Sequence, residues 1–380
     1  MKENPLLKLR SFGQSIWLDY IRRRMLVSGE LGRLIEEDGL AGVTSNPSIL
    51  EKAIAESDDY DDAIRSLARA GKNAGEIYEE LAVEDIRLTA DLFRPLYDRV
   101  EGRDGFVSLE VSPRLAHDTA GTVLEARHLW ARVDRPNVLI KVPGTLEGLT
   151  AIRQLISEGI NVNVTLLFGL SRYQAVAEAY IAGLEERTAS GLPLDRLSSV
   201  ASFFLSRIDV LIDPLLDKKL LEGGRLADTA SMLRGEVAIA SAKTAYQLYK
   251  EIHDTARFHK LAARGARPQR VLWASTSSKN PDYSDVKYVE ALIGPETINT
   301  IPLETLTAYR DHGKPALRLE TDLDEAMKVL KRLPETGIDL DTVTMQLENE
   351  GIEKFVKPYD KLMQTLERKK NTDQQEPGGS

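Results

Sequence analysis

The 380-residue sequence contains no cysteine. Disulfides, thiolate nucleophiles and sulfur-rich zinc sites are therefore excluded, and any chemistry falls to lysine, carboxylate, hydroxyl or imidazole groups. A membrane signature is also missing. No window approaches the roughly 18 uninterrupted apolar residues of a spanning helix, and the charged start Met1-Lys2-Glu3-Asn4 precedes no apolar run with a cleavage site. A cytoplasmic location is expected. Positive charge is in deficit, with 50 Lys and Arg against 59 Asp and Glu and a net charge of −9, so the summed field repels polyanions and nucleic acid is not an expected partner. Histidine is scarce. His117, His128, His253, His259 and His312 show no metal-ligand spacing and are expected in surface or capping roles. Phosphate-cradling G-x-x-x-x-G-K-[ST], strand-following G-x-G-x-x-G, H-E-x-x-H and G-x-S-x-G motifs are absent too. No metal or organic cofactor is implied.

What is present is alternation. Short β-rich runs occur at Ser15–Asp19, Leu40–Ser45, Phe106–Val111, Asn137–Val142, Ile160–Thr165, Ser199–Leu205, Arg270–Ser275 and Glu296–Ile301. Between them, apolar residues recur at helical spacing, as in Val83, Ile86, Ala90 and Phe93, or Val237, Ala240, Thr244 and Leu248. Eight strand–helix units predict an α/β fold, a single (β/α)8 barrel over residues 1–368. An open doubly wound sheet is the competing architecture, because the last strand is weak and the spacing uneven. The long gaps 46–105 and 206–269 read as extra helices. Two or three more helices follow residue 302, ending in the amphipathic stretch Gly351–Arg368, which is expected to pack near a barrel mouth. Residues 369–380 lose all apolar character and read as a disordered tail or an expression remnant.

Parallel strands between helices and a barrel interior should be apolar on both faces. Four runs break this rule on one face. Lys141 alternates with Ile140 and Val142, Ser108 and Glu110 with Leu109, Asn161, Asn163 and Thr165 with Val162 and Val164, and Asp19 follows Trp17. The polar residues Asp19, Thr44, Asn46, Glu110, Lys141, Thr165, Ser202 and Ser275 sit at or near the C-terminal ends of their strands, where parallel α/β folds carry their active sites. Singly, each is an ordinary strand-end polar group, and Lys141 alone is a snorkelling lysine. Together they mark one rim.

A lysine desolvated among Leu139, Ile140 and Val142 should titrate low enough to act as an amine nucleophile, forming a Schiff base with a ketone. Asp19 and Glu110 are the rim carboxylates available for acid–base work. Asn46, Asn163 and Thr165 can supply neutral hydrogen bonds or hold a water. Arg207, with Ser202, and Lys279, with Ser275, would suit an anionic substrate such as a phosphate, although Arg207 has Asp209 nearby as an alternative partner.

These residues also carry a family resemblance. Gly42-Val-Thr-Ser-Asn-Pro-Ser48, Ile140-Lys-Val-Pro-Gly-Thr-Leu-Glu-Gly148, Asn161-Val-Asn-Val-Thr-Leu-Leu-Phe168 and Ser202-Phe-Phe-Leu-Ser-Arg-Ile-Asp209 resemble, in order, the signatures of transaldolases. Chain length and Trp273-Ala-Ser-Thr-Ser-Ser-Lys-Asn-Pro281 are similar to the longer bacterial branch, which also occurs fused to a glucose-6-phosphate isomerase. The resemblance implies a cofactor-free Schiff-base transfer of a dihydroxyacetone unit between sugar phosphates in the non-oxidative pentose phosphate pathway. On it, Lys141 is the Schiff-base lysine, Asp19 the acid/base, and Glu110 with Thr165 the holders of a catalytic water. Thr44, Asn46, Asn163 and Ser202 fall on substrate positions, and Arg207 and Ser275 on phosphate positions. Shorter relatives carry an arginine where Ser277 stands here, so Lys279 is expected to supply that charge. A fructose-6-phosphate aldolase using the same lysine, or a non-catalytic sugar-phosphate-binding barrel, are the competing functions.

Overall fold

In the computed structural model, which describes residues 4–374, each β-rich run forms a strand. These are β1 (Gln14–Leu18), β2 (Gly42–Thr44), β3 (Phe106–Glu110), β4 (Val138–Pro143), β5 (Val162–Leu167), β6 (Ser199–Phe204), β7 (Arg270–Ala274) and β8 (Thr297–Ile301). They close in sequential order into a parallel barrel. β8, the weakest run in sequence, completes the circle through five paired positions from Gln14↔Thr297 to Leu18↔Ile301. The open doubly wound sheet is thereby excluded.

Strand ends differ from expectation by a few residues. Asp19 and Ser275 lie one residue past β1 and β7, and β2 keeps only three residues of the predicted six. β2 is also closely packed against its neighbours. A Cβ on Gly42 would stand 2.6 Å from two ring atoms of Trp17 and 2.7 Å from the Phe106 carbonyl oxygen, so only glycine lets the fully buried indole lie across this strand. β5 carries an irregularity between Val164 and Leu167, where Leu166 takes a left-handed φ of 61°. Such a bulge re-aims the residues beside it, and Thr165 is its neighbour.

The long gaps hold extra helices, as expected. Residues 46–105 fold into Pro47–Ala55, Asp61–Arg69 and Ala74–Arg99, and residues 206–269 into Ser206–Glu222, Arg225–Leu233, Val237–His253 and Ala256–Ala262. Local chemistry sets their starts. Asn73 and Glu76 form a reciprocal capping box, and the Thr145 hydroxyl caps Leu146–Glu158, which ends at left-handed Gly159. Val83, Ile86, Ala90 and Phe93 are all buried. In Val237–His253 the expected Val237 and Ala240 are buried, but the stripe continues through Ala238, Ser241, Ala245 and Tyr249, leaving Thr244 and Leu248 half-buried. Small residues there allow close packing that hydrophobicity alone does not signal.

After β8 come the helices Leu303–His312, Leu323–Arg332 and Leu340–Gln374. The last is longer than the expected Gly351–Arg368 at both ends. It packs against the catalytic end of the barrel, where Gly351 meets Leu166 and Phe168, and the Thr344 side chain faces Gly169. Arg172 and Glu348 form a 3.0 Å ion pair across this seam. The expected tail begins at Lys369, yet the helix continues to Gln374 and Lys369 pairs with Asp61 at 2.5 Å. Residues 375–380, the remainder of that tail, lie outside the described residues. Among the described residues no helix is long and apolar enough to cross a membrane.

Candidate active site at the C-terminal mouth

Alternation in β4 is the starting point. Val138, Ile140 and Val142 are fully buried, while Lys141 is only 4% exposed although it carries an ammonium group. An apolar residue there would contribute about 1.5–3 kcal/mol by burial, and an unpaired charge would cost several. The Lys141 amine therefore has partners. Its Nζ lies 3.1 Å from Glu110 Oε2, across the β3–β4 pairing Glu110↔Lys141. It also donates to the Ser45 carbonyl at 3.2 Å and sits 5.4 Å from the ring centroid of Phe355.

The two carboxylates have different surroundings. Burial pushes the Glu110 carboxyl up to about 7, against the pull of Lys141, so this group exchanges its proton near neutrality. Apart from the Lys141 ion pair, the Glu110 oxygens and the Thr165 hydroxyl have no hydrogen-bond partner among the described residues. Each is open to a water or a ligand. Asp19 is likewise raised, first by burial, with Lys141 and the Thr44 hydroxyl opposing the rise. Thr44 Oγ1 donates to Asp19 Oδ1 at 2.7 Å. Its single proton is thereby committed, so in the 2.7 Å contact with Thr300 Thr300 is the donor.

A polar layer lies beneath. Asn163 is fully buried, with Nδ2 donating to Ser108 Oγ at 2.9 Å and Oδ1 accepting from Ser202 at 2.7 Å. Asn163 does not line the cavity above Lys141, and through these two bonds it orients Ser202. Asn46 is committed in part. Its Oδ1 accepts from the Ile49 amide as the N-cap of Pro47–Ala55, which leaves the amide nitrogen to face the cavity.

Above these groups is a cavity of about 170 Å³ whose walls include Asp19, Thr44, Asn46, Lys141, Thr165 and Ser202. Arg207, Ser275 and Lys279 line the same cavity. Arg207 is the second residue of Ser206–Glu222, and its Nη1 is buried without a partner. Burial lowers its pKa, with Glu350 and Asp19 opposing, yet a guanidinium stays charged throughout the working range. Asp209 does not neutralise it: that carboxylate accepts from the Ala238 amide and the Tyr288 hydroxyl and faces away. Ser275 holds a left-handed φ of 54°, fixed by the Ser206 amide on its carbonyl at 3.0 Å and a 2.9 Å hydroxyl contact with Ser206. Non-glycine residues persist in this region only where their surroundings enforce it. The Lys279 amine donates to Ser277 Oγ at 2.6 Å. The departure from the shorter relatives thus brings hydroxyl and cation to the same wall.

Thr300, Pro302 and Phe355 are among the lining residues that escaped the sequence reading. Thr300 lies in β8 and Pro302 just beyond it, and the polar residues Asn299 and Thr300 of that run were the available signal. Phe355 comes from the last helix, and nothing local marks it as a site residue. No group of three or more His, Asp or Glu side chains able to hold a metal occurs among the described residues.

Comparison with known proteins follows the same outline. The family model described as Transaldolase/Fructose-6-phosphate aldolase matches residues 16–366. "Transaldolase 2" of Nostoc sp. (strain PCC 7120) is 49% identical over 374 residues, covering 97% of this chain and 98% of that protein. "Transaldolase" of Thiobacillus denitrificans is 51% identical over 351 residues, covering 92% and 96% respectively. "Transaldolase" of Thermobifida fusca is 46% identical over 361 residues, covering 95% and 96%.

Proposed function

The chain belongs to the transaldolase/fructose-6-phosphate aldolase family, and on that premise we propose that it moves a dihydroxyacetone unit from a ketose phosphate to an aldose phosphate through Lys141. The observation that carries this reading is the buried Lys141 amine, 3.1 Å from Glu110, lining one cavity together with Arg207, Ser275 and Lys279.

The donor, sedoheptulose 7-phosphate or fructose 6-phosphate, enters with its phosphate on Arg207, the Ser275 hydroxyl and Lys279, which places its carbonyl end toward β4. The Lys141 ammonium passes a proton to the Glu110 carboxylate, the free amine attacks C2, and the resulting carbinolamine loses water to give a protonated imine. Glu110, titrating near 7, passes these protons through a water held with Thr165. Asp19 takes the proton of the C4 hydroxyl as the C3–C4 bond breaks, and the bonding electrons flow into the imine to give an enamine. An aldose phosphate departs. Glyceraldehyde 3-phosphate or erythrose 4-phosphate then accepts the three-carbon unit by the reverse steps, and hydrolysis frees Lys141. Thr44 orients Asp19, Asn163 orients Ser202, and Asn46 and Ser202 hydrogen-bond the sugar hydroxyls.

Sugar phosphates are thus the small-molecule partners, and the enzyme works in the cytosol within the non-oxidative pentose phosphate pathway. A glucose-6-phosphate isomerase, fused or separate, would share fructose 6-phosphate with it. The test is acceptor dependence of fructose 6-phosphate consumption. Turnover is expected only when an aldose phosphate is supplied. Sustained release of free dihydroxyacetone without acceptor would identify an aldolase, and binding without turnover would identify a non-catalytic barrel.

A further inference from the structure

The opposite end of the barrel carries a second polar cavity, of about 260 Å³, that the proposed reaction does not use. Four arginines, Arg10, Arg103, Arg267 and Arg270, line it, against the carboxylates Asp104 and Glu296. Asp104 is already committed. It accepts from Arg270 at 2.9 Å, from Ser15 at 2.6 Å and from the Trp17 indole at 3.3 Å. Among the described residues, Arg10, Arg103 and Arg267 have no carboxylate within salt-bridge distance. Arg267 donates instead to the carbonyls of Gly102 and Glu101, contacts that fix its position without cancelling its charge. Three guanidinium charges therefore converge on one concavity with Glu296 alone on the rim. This happens in a chain whose net charge is −9.

Like charges lining one hollow repel one another, and an anion bound among them removes that repulsion. Guanidinium groups match the paired oxygens of a phosphate. The floor supplies the buried Ser198 hydroxyl, while the Ser15 and Ser199 hydroxyls already donate to Asp104 and the Val162 carbonyl. Gln14 also lines the hollow, and its buried Oε1 has no partner among the described residues, an acceptor suited to a ligand hydroxyl. We propose that this N-terminal mouth of the barrel is a binding site for a small phosphate dianion, either inorganic phosphate or a phosphate monoester, separate from the cavity above Lys141.

The test is calorimetric titration of the full-length protein with inorganic phosphate at low ionic strength, with glycerol phosphate as a second probe. Wild type is expected to bind two equivalents, and Arg207→Ala/Lys279→Ala to retain one. Arg10 and Arg103 are exposed, and neither side chain makes a hydrogen bond or ion pair among the described residues, so Arg10→Gln/Arg103→Gln should fold. It should weaken the retained binding at least tenfold and leave turnover unchanged. Tighter binding of glycerol phosphate than of phosphate would assign a monoester; the reverse order would assign the free ion. Loss of all phosphate binding in Arg207→Ala/Lys279→Ala, or retained binding indifferent to Arg10→Gln/Arg103→Gln, would overturn the proposal. If Arg207 and Lys279 prove not to hold substrate phosphate, the Arg10→Gln/Arg103→Gln comparison still decides this site.

Discussion

Replacing Glu110 by Gln separates the proposed proton route from the rest of the site. Burial raises the Glu110 pKa from 4.5 to about 7, a change worth roughly 3 kcal/mol at about 1.4 kcal/mol per pH unit. At pH 7 about half of the free enzyme then carries the carboxylate that can accept a proton, and each unit of acid below that removes a further factor of about ten. The wild-type profile of kcat/KM, which reports the free enzyme, should fall with unit slope below about pH 7. Glu110→Gln keeps the shape but cannot exchange the proton. It should lower kcat/KM by roughly 10²–10⁴ and remove that limb, while any limb due to substrate phosphate remains. The assay is coupled turnover of fructose 6-phosphate and erythrose 4-phosphate from pH 5 to 9, with circular dichroism confirming the fold. A Glu110→Gln profile with the wild-type limb intact would refute the assignment.

Other consequences concern phosphate, packing and acid stability. Lys279→Ala should raise KM for phosphorylated donor about tenfold or more with little change in kcat, since the amine is assigned to the substrate phosphate and not to the reacting carbons; an unchanged KM would remove Lys279 from the phosphate site. Gly42→Ala should cost at least 1–3 kcal/mol by overpacking, because its methyl would meet the Trp17 ring at 2.6 Å, read as a lowered denaturant midpoint. His253 accepts from the Gln269 amide on Nε2 at 3.2 Å, so Nδ1 carries the proton toward the Tyr249 carbonyl. Burial holds its pKa down, at about 4. Its contribution to stability is therefore complete above about pH 6.5 and is lost as pH falls through 4. The loss approaches roughly 3 kcal/mol, and His253→Gln, which keeps an acceptor for Gln269, should lack that component of acid unfolding.

The barrel was legible because its signals are local and repeat eight times. Each strand run is short and β-rich, and the polar breaks in β1, β3, β4 and β5 fall on a single face. Lys141, Glu110 and Asp19 stood out because a charged residue inside such a strand is costly unless it is used. Other features depend on distances that no local pattern encodes. Asn163 looks like a substrate ligand in the strand pattern, and only the barrel's closure shows Ser108 and Ser202 taking both ends of its amide. Asn46 carries the composition of a helix cap and of a ligand at once, and serves the first role with its oxygen. Phe355 reaches Lys141 from more than 200 positions away in the chain. The arginines of the N-terminal mouth are equally scattered, at 10, 103, 267 and 270, and appear in sequence as ordinary surface charges.

The central claim is that the Lys141 amine forms an imine with the donor ketone. Incubation with fructose 6-phosphate and sodium borohydride, followed by peptide mass mapping, tests it directly. The account predicts one covalent three-carbon or six-carbon adduct confined to the peptide bearing Lys141, and none in Lys141→Met. Labelling at another lysine, or no mass shift in an enzyme that is turning over, would contradict it.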